Sequence, residues 1–311
     1  RSAGRPARYN PGLHRIQARP LSPSPEPVVS ELIELLSLER LEDNLFRGQS
    51  RDIGTRYVFG GQVLGQALSA AQATIDPATG ARAAHSLHAY FLRRGDFRAP
   101  IVYEVDRSRD GHGFSSRRVV AIQHGQQIFH LSASFQREEQ GPDHQVAAPV
   151  VTPPENLPDL TSLVRRRLPE MPEQMQRFWE RDRPFEFRSV EPVQDGTPRP
   201  GVRHLWFRLA GRCPADAVLH RCLLAYVSDF HLLETATLPH GHSYHTGGLL
   251  LASLDHGMWF HRPFRIDDWL LYALISPSSS GARGMAFGRI FDRAGRLVAS
   301  SAQEGLMRVR A

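Results

Sequence analysis

A hydroxyl, a carboxylate, two imidazoles, an indole and a guanidinium crowd into one short stretch, Ser253-Leu254-Asp255-His256-Gly257-Met258-Trp259-Phe260-His261-Arg262-Pro263. Such groups can hold a polar substrate or move a proton. The stretch continues the apolar run Leu249-Leu250-Leu251, and a strand is its simplest shape. Period two then sets Ser253, Asp255, Gly257, Trp259 and His261 on one face, and Leu254, His256, Met258, Phe260 and Arg262 on the other. Neither face is purely apolar, as a core strand requires. The stretch therefore reads as a strand lining a site.

Other polar stretches offer less. His240-Gly241-His242-Ser243-Tyr244-His245 brings three imidazoles together, but no acid or Cys in the loop completes a ligand set, and no metal site is expected. The same residues resemble half of a nucleophile elbow, with His245 in place of the second Gly, so serine-hydrolase chemistry is not expected either. All 38 basic residues are Arg. Without Lys there is no Schiff base and no Walker-type phosphate loop. The net charge of +6 is concentrated in residues 1–25, which carry five Arg and no acid. A near-neutral body lacks the basic face of a nucleic-acid binder. No run of about 18 apolar residues is present, so no membrane span is expected. Two cysteines, Cys213 and Cys222, suit free thiols in a reducing compartment, and a cytoplasmic location is expected.

The positioning elements come from periodicity. Residues 1–28, rich in Arg, Pro and Ser, read as a disordered leader. Apolar spacing from Val28 to Glu42 predicts an amphipathic helix, and Asn44 to Gly48 a short strand and turn. The small-residue run from Gly60 to Gln72 predicts a buried helix, followed by strands at His85–Arg93, Ile101–Arg107, Phe114–Gln123 and Gln127–Gln136. A Pro-rich connector, with one helical block at Gln174–Asp182, spans residues 138–184 and divides a repeat at 29–137 from one at 185–311. The second repeat follows the order of the first. Strands at Phe185–Val190 and His204–Ala210 precede a helix from Ala217 to Leu233, and strands at Leu249–His261, Trp269–Ser276, Met285–Asp292 and Leu297–Gln303 follow it. Ser86 precedes Gln136 by the same interval that separates Ser253 from Gln303, which points to internal duplication.

Several motifs in this order resemble the acyl-CoA thioesterase II family of bacteria and peroxisomes. They are Asn44-Leu45-Phe46-Arg47-Gly48, the run Phe59-Gly60-Gly61-Gln62-Val63-Leu64-Gly65-Gln66-Ala67, and His85-Ser86-Leu87-His88-Ala89-Tyr90-Phe91. In the second half they are Ala225-Tyr226-Val227-Ser228-Asp229, the stretch Asp255 to Pro263, and Gln303-Glu304-Gly305. The resemblance runs from about residue 30 to 308. It implies an α+β double hotdog: two repeats, each an antiparallel sheet wrapped around a central helix. It also implies hydrolysis of fatty acyl-CoA to fatty acid and CoA by direct attack of water, without cofactor or metal, with catalytic residues Asp229, Ser253 and Gln303. The family pattern most often has Thr where this chain has Ser253.

The residue types suit that assignment. Asp229 lies among core-like neighbours, where a carboxylate needs partners, and the Ser253 and Gln303 side chains both donate and accept. Gly60 and Gly61, at a helix start, are candidate substrate-binding positions for the oxyanion, and Arg283 for the coenzyme's phosphates. Aligning the central helices sets Ala70 opposite Asp229, so one site per chain is expected. Hotdog sheets commonly associate, so a homodimer or homotetramer is expected. The rival readings are an enoyl-CoA hydratase and a non-catalytic acyl-CoA-binding protein. The hydratase fits poorly, because its Asp and His pair usually sits on a short loop after the central helix and Asp229-Phe230-His231 lies inside the predicted helix.

Overall fold

The computed structural model describes residues 25–192, 196–242 and 249–309; most of the leader, most of the loop after His242 and the last two residues lie outside them. In chain order the elements are α1 (Pro25–Leu36), β1 (Glu39–Glu42), β2 (Leu45–Gly48), α2 (Gly60–Ala73), β3 (Ala83–Phe91), β4 (Ile101–Asp110), β5 (Phe114–Gln123), β6 (Gln126–Gln136), α3 (Leu160–Arg165), α4 (Glu173–Glu180), β7 (Phe185–Ser189), β8 (Val202–Leu209), α5 (Ala217–Ser228), β9 (Leu249–Ser253), β10 (Asp255–Phe260), β11 (Leu270–Ser280), β12 (Arg283–Asp292) and β13 (Leu297–Val309). The first helix starts earlier than its periodicity predicts and ends at Leu36; Leu38 and Leu41, which extended the helical spacing, belong to the exposed hairpin arm β1 and the turn before it.

Every described strand pairing is antiparallel, and the strands form one sheet in the order β1-β2-β4-β5-β6-β3-β10-β13-β12-β11-β8-β7, with β9 also on β13. The order β2-β4-β5-β6-β3 is mirrored by β8-β11-β12-β13-β10, and the halves meet where β3 pairs with β10. Two copies of one topology joined edge to edge make the double hotdog. Each sheet wraps a central helix, α2 in the first repeat and α5 in the second, and the apolar core lies between sheet and helices.

The small residues of α2 let the two helices touch. A Cβ on Gly61 would collide with the carbonyl oxygen of Tyr226, and one on Gly65 would lie 3.0 Å from that of Cys222. The connector is not a free tether. Gln145 bonds the backbone at Gly295 and Leu297, Trp206 donates to the Thr152 carbonyl, and Ala148, Val151 and Leu157 cover the cluster of Trp206, Trp269, Leu271 and Phe291. Further on, α4 packs against the loop before α2, where Gly54 (φ +90°) admits no side chain beside Phe178. Among the described residues no helix is long and apolar enough to cross a membrane.

Replacing Gly61 with Ala should push α2 off α5. Overpacking of this kind costs about 1–3 kcal/mol. Equilibrium urea unfolding should show that loss, and an unchanged midpoint would contradict the close helix contact.

Candidate active site

The helix α5 starts on the Asp216 carboxylate, which accepts from the Val218 and Leu219 N–H groups, and it ends at Ser228 with Asp229 as its C-terminal cap. The expected extension to Leu233 does not occur: His231 takes φ +65°, a left-handed conformation that breaks the helix, and a 3-10 segment runs from Leu233 to His240. Asp229-Phe230-His231 therefore lies at the helix end rather than inside it. The imidazole of His231 is tied to Glu234, Nδ1 to Oε2 at 2.9 Å, and Glu234 is bridged to Arg203. Burial pushes the His231 pKa down.

Three distant segments meet at Asp229. Its side chain is 5% exposed. Oδ1 accepts from Gln303 Nε2 at 2.7 Å and from Ser253 Oγ at 3.3 Å. Oδ2 faces the first residue of α2, where a Cβ on Gly60 would stand only 2.7 Å away. Gly60 and Gly61 begin that helix, so their N–H groups have no acceptor within it. Asp229, Ser253, Gln303 and Gly60 are thus gathered at one point. Arg283 is not: its Nε bonds Glu304 Oε1 at 2.8 Å on the β11–β12 hairpin, and it lines neither cavity that borders this point.

Ser253 reaches Asp229 because the expected single strand is broken. β9 and β10 both lie along β13, but Leu254 interrupts them: its N–H bonds the Glu304 carbonyl, while the Asp255 carboxylate takes the Glu304 N–H at 2.6 Å. This bulge shifts the side-chain alternation by one. In an unbroken strand Ser253 and His256 would face opposite ways; here both approach the same carboxylate, His256 Nδ1 at 4.0 Å from Asp229 Oδ1.

Two cavities flank the carboxylate. One, of about 210 Å³, is walled by Phe59, Met175, Phe178, Trp179, Phe230 and Leu233, with Asp229 on its lining. The other, of about 410 Å³, holds Gly60, Ser253, Phe91 and Phe129, and carries Arg56, Arg93 and Arg94 on its lining. Among the described residues the first repeat ends its central helix differently. The residue capping α2 is Thr74, not Ala70, and its hydroxyl accepts from the buried guanidinium of Arg117, which also binds Asp110. Of the three-histidine loop only His240 and His242 fall within the described residues.

A family described as "Acyl-CoA thioesterase" matches residues 176–306, and one described as "Acyl-CoA thioesterase N-terminal domain" matches residues 48–136. The chain is 43% identical to "Acyl-CoA thioesterase 2" of Haemophilus influenzae, over 90% of this chain and 98% of that protein. It is 40% identical to human "Acyl-coenzyme A thioesterase 8", over 89% of this chain and 88% of that one. An acyl-CoA thioesterase II from Mycobacterium marinum, 41% identical, superposes with a TM-score of 0.73 over 90% of this chain and 99% of its own. A hot dog protein from Alicyclobacillus acidocaldarius, 18% identical, matches in fold with the same TM-score, over 90% of this chain and 99% of its own.

His256 is the site neighbour that residue types alone did not single out. It is 1% exposed, and burial pushes its pKa down to about 4 although the Asp229 charge works the other way. The ring is therefore neutral, and its partners fix the tautomer. Ser228 Oγ gives its proton to the Ala225 carbonyl and so accepts from His256 Nε2 at 3.0 Å. Nδ1 is left as an acceptor for Gln303 Nε2 at 3.2 Å. Both amide protons of Gln303 are then committed, to His256 and to Asp229, and its Oε1, buried, has no partner among the described residues. An unfolded imidazole titrates near ~6.5. The His256 contribution to stability is thus full above that pH and is lost as the pH falls from about 6.5 to about 4, because the unfolded chain takes up the proton first. Nitrogen-15 NMR at pH 6 should report a neutral His256 ring protonated on Nε2; a ring titrating near 6.5 would contradict this arrangement.

Proposed function

The chain belongs to the acyl-CoA thioesterase family, and from that premise we propose that Asp229, Ser253 and Gln303 hydrolyse fatty acyl-CoA to fatty acid and CoA through a water that attacks the thioester directly. The enzyme is a thioester hydrolase. The observation that carries the residue assignment is the buried Asp229 carboxylate, with Oδ1 fixed by Gln303 and Ser253 and Oδ2 directed at the start of the facing helix. A fixed carboxylate has one oxygen left to act as base.

In this reading the uncommitted Gln303 Oε1 orients the water by accepting one of its protons, while Ser253 Oγ holds Asp229 in place. Asp229 takes its proton as the hydroxide oxygen bonds to the carbonyl carbon. The carbonyl oxygen becomes an oxyanion that the N–H groups of Gly60 and Gly61 stabilise at the positive end of α2. Collapse expels the CoA thiolate, which recovers the proton from Asp229. Every group required belongs to this chain. The apolar cavity beside Asp229 suits the acyl chain, and the cavity with Gly60 and Ser253 suits the coenzyme's arm. His256 serves as a positioning residue that keeps the Gln303 amide turned with its NH2 towards Asp229.

Arg117 at the matching place of the first repeat supports one site per chain, and the repeats at 29–137 and 185–311 divide the labour between scaffold and base. We assign the working unit to a homodimer or homotetramer, for Tyr90, Trp259 and Phe287 stand exposed along the sheet. Free, buried Cys213 and Cys222 suit the reducing cytoplasm.

Thiol release from palmitoyl-CoA tests the base directly. Asp229→Asn should lower kcat about 100-fold or more, while crotonyl-CoA should keep its enoyl absorbance with the unaltered protein. Undiminished thiol release by Asp229→Asn would overturn the mechanism, and loss of the enoyl absorbance would favour a hydratase. His256→Asn, which retains an acceptor at the δ1 position, should keep kcat within a few-fold; His256→Leu, which has none, should lose about tenfold or more of kcat with KM little changed. Equal kcat in the two variants would remove the positioning role.

A further inference from the structure

The cavity that holds Gly60 and Ser253 also carries three exposed arginines, two of them on one ring. Arg94 lies over the Tyr57 ring, 4.7 Å from guanidinium carbon to centroid, and donates from Nη1 to the Tyr57 hydroxyl at 3.1 Å. Arg56 approaches the same ring at 5.6 Å. The neighbouring Arg93 donates from Nη1 to the Gln127 carbonyl at 2.7 Å. Among the described residues none of the three has a carboxylate partner, although Asp52 and Asp96 are close in the chain. Asp52 is taken by Arg181, Asp96 by Arg98 and Glu173 by Arg177. Like charges gathered on one ring repel, and a folded chain otherwise tends to intersperse or pair them. A polyanion that sits among them removes the repulsion.

We propose that Arg56, Arg93 and Arg94 bind the phosphates of coenzyme A while the pantetheine arm runs down the cavity to Ser253 and Gly60. This rests on the thioesterase reading above. Coenzyme A carries a diphosphate and a 3′-phosphate at the far end of its arm from sulfur, and the cavity offers both characters: the exposed cations Arg56, Arg93 and Arg94, the apolar side chains of Phe91 and Phe129, and the half-buried Gly60 and Ser253. Among the described residues Arg56 makes no hydrogen bond, and Arg93 and Arg94 each commit one of five donor hydrogens to the protein, so most of the fork of each guanidinium is left for phosphate oxygens. The Tyr57 ring and the Gln127 carbonyl hold the side chains in place without neutralising them. This assigns the coenzyme's anchor to the loop before α2 and the turn after β3, both of the first repeat, whereas the base belongs to the second. Arg283, paired with Glu304, takes no part.

The test compares substrates with and without phosphates. With the double variant Arg93→Glu and Arg94→Glu, kcat/KM for an acyl-CoA should fall at least tenfold further than kcat/KM for the matching S-acyl pantetheine. Calorimetry with free CoA should show a tenfold weaker Kd in the variant, and added salt should weaken binding more steeply in the unaltered protein. Equal losses on both thioesters, or no loss on either, would overturn the proposal. Calorimetry is independent of turnover. If the unaltered protein hydrolyses neither thioester yet binds CoA through these arginines, the thioesterase mechanism fails and the anchor stands. If it hydrolyses both and the double variant binds CoA undiminished, the anchor fails alone.

Discussion

Everything in this candidate site depends on burying one carboxylate at the end of a helix. Asp229 is the C-terminal cap residue of α5, where the helix's own carbonyls make an anion unwelcome. Taking a carboxylate out of water is costly without compensating donors. Three features offset this. Gln303 and Ser253 donate to Oδ1, and the positive N-terminus of α2 faces Oδ2. The last is possible only because α2 begins with two glycines: any side chain on Gly60 would occupy the space where the carboxylate stands. The close packing of α2 on α5 is therefore a requirement of the site as much as of the core.

The second requirement is directional. An amide side chain beside a carboxylate can turn either way, and only one turn donates. The order of protons running from His256 Nε2 to Ser228 to the Ala225 carbonyl makes His256 Nδ1 an acceptor, which turns the NH2 of Gln303 inward and leaves its Oε1 unused. Burial supports the same arrangement by keeping the imidazole neutral; a protonated ring would repel the amide NH2. Tyr272 anchors the base of this relay, donating to the Ser228 carbonyl, and Gly288 on β12 makes room for its ring.

Much of this was legible in the sequence, and the exceptions share a cause. Apolar periodicity and small-residue content marked α2, α5 and nearly all the strands, and Asp229, Ser253 and Gln303 came from their motifs. Local pattern failed where a long-range contact decides geometry. The bulge at Leu254 follows from Asp255 accepting the Glu304 N–H, a contact across about fifty residues that reverses the face assigned to Ser253. The end of α5 at Ser228 carries no Gly or Pro signal, because His231 itself adopts the left-handed turn. The Pro-rich connector looked like a boundary by composition, yet it covers the outer tryptophans and lends Met175 and Phe178 to the cavities. The pairing of Arg283 with Glu304 is another long-range contact that residue type does not reveal. The role of His256 was not legible, because a tautomer cannot be read from residue type.

The duplication explains why the two halves are so alike in topology and so unlike at their helix ends. In both repeats the central helix stops with its C-terminal cap pointing at strands of its own sheet. In the second, the cap is a carboxylate met by neutral donors on β9 and β13. In the first, the cap is Thr74, and the neighbouring β5 supplies Arg117, whose charge is met by Asp110. A guanidinium placed there fills the space and offers no base, while the first repeat keeps its sheet and helix. It retains what a single helix end could not supply to the other repeat: an opposed N-terminus with free N–H groups at Gly60 and Gly61. A site of this kind needs the C-terminus of one helix and the N-terminus of its antiparallel neighbour, and fusing two repeats into one chain provides both while leaving each repeat free to specialise.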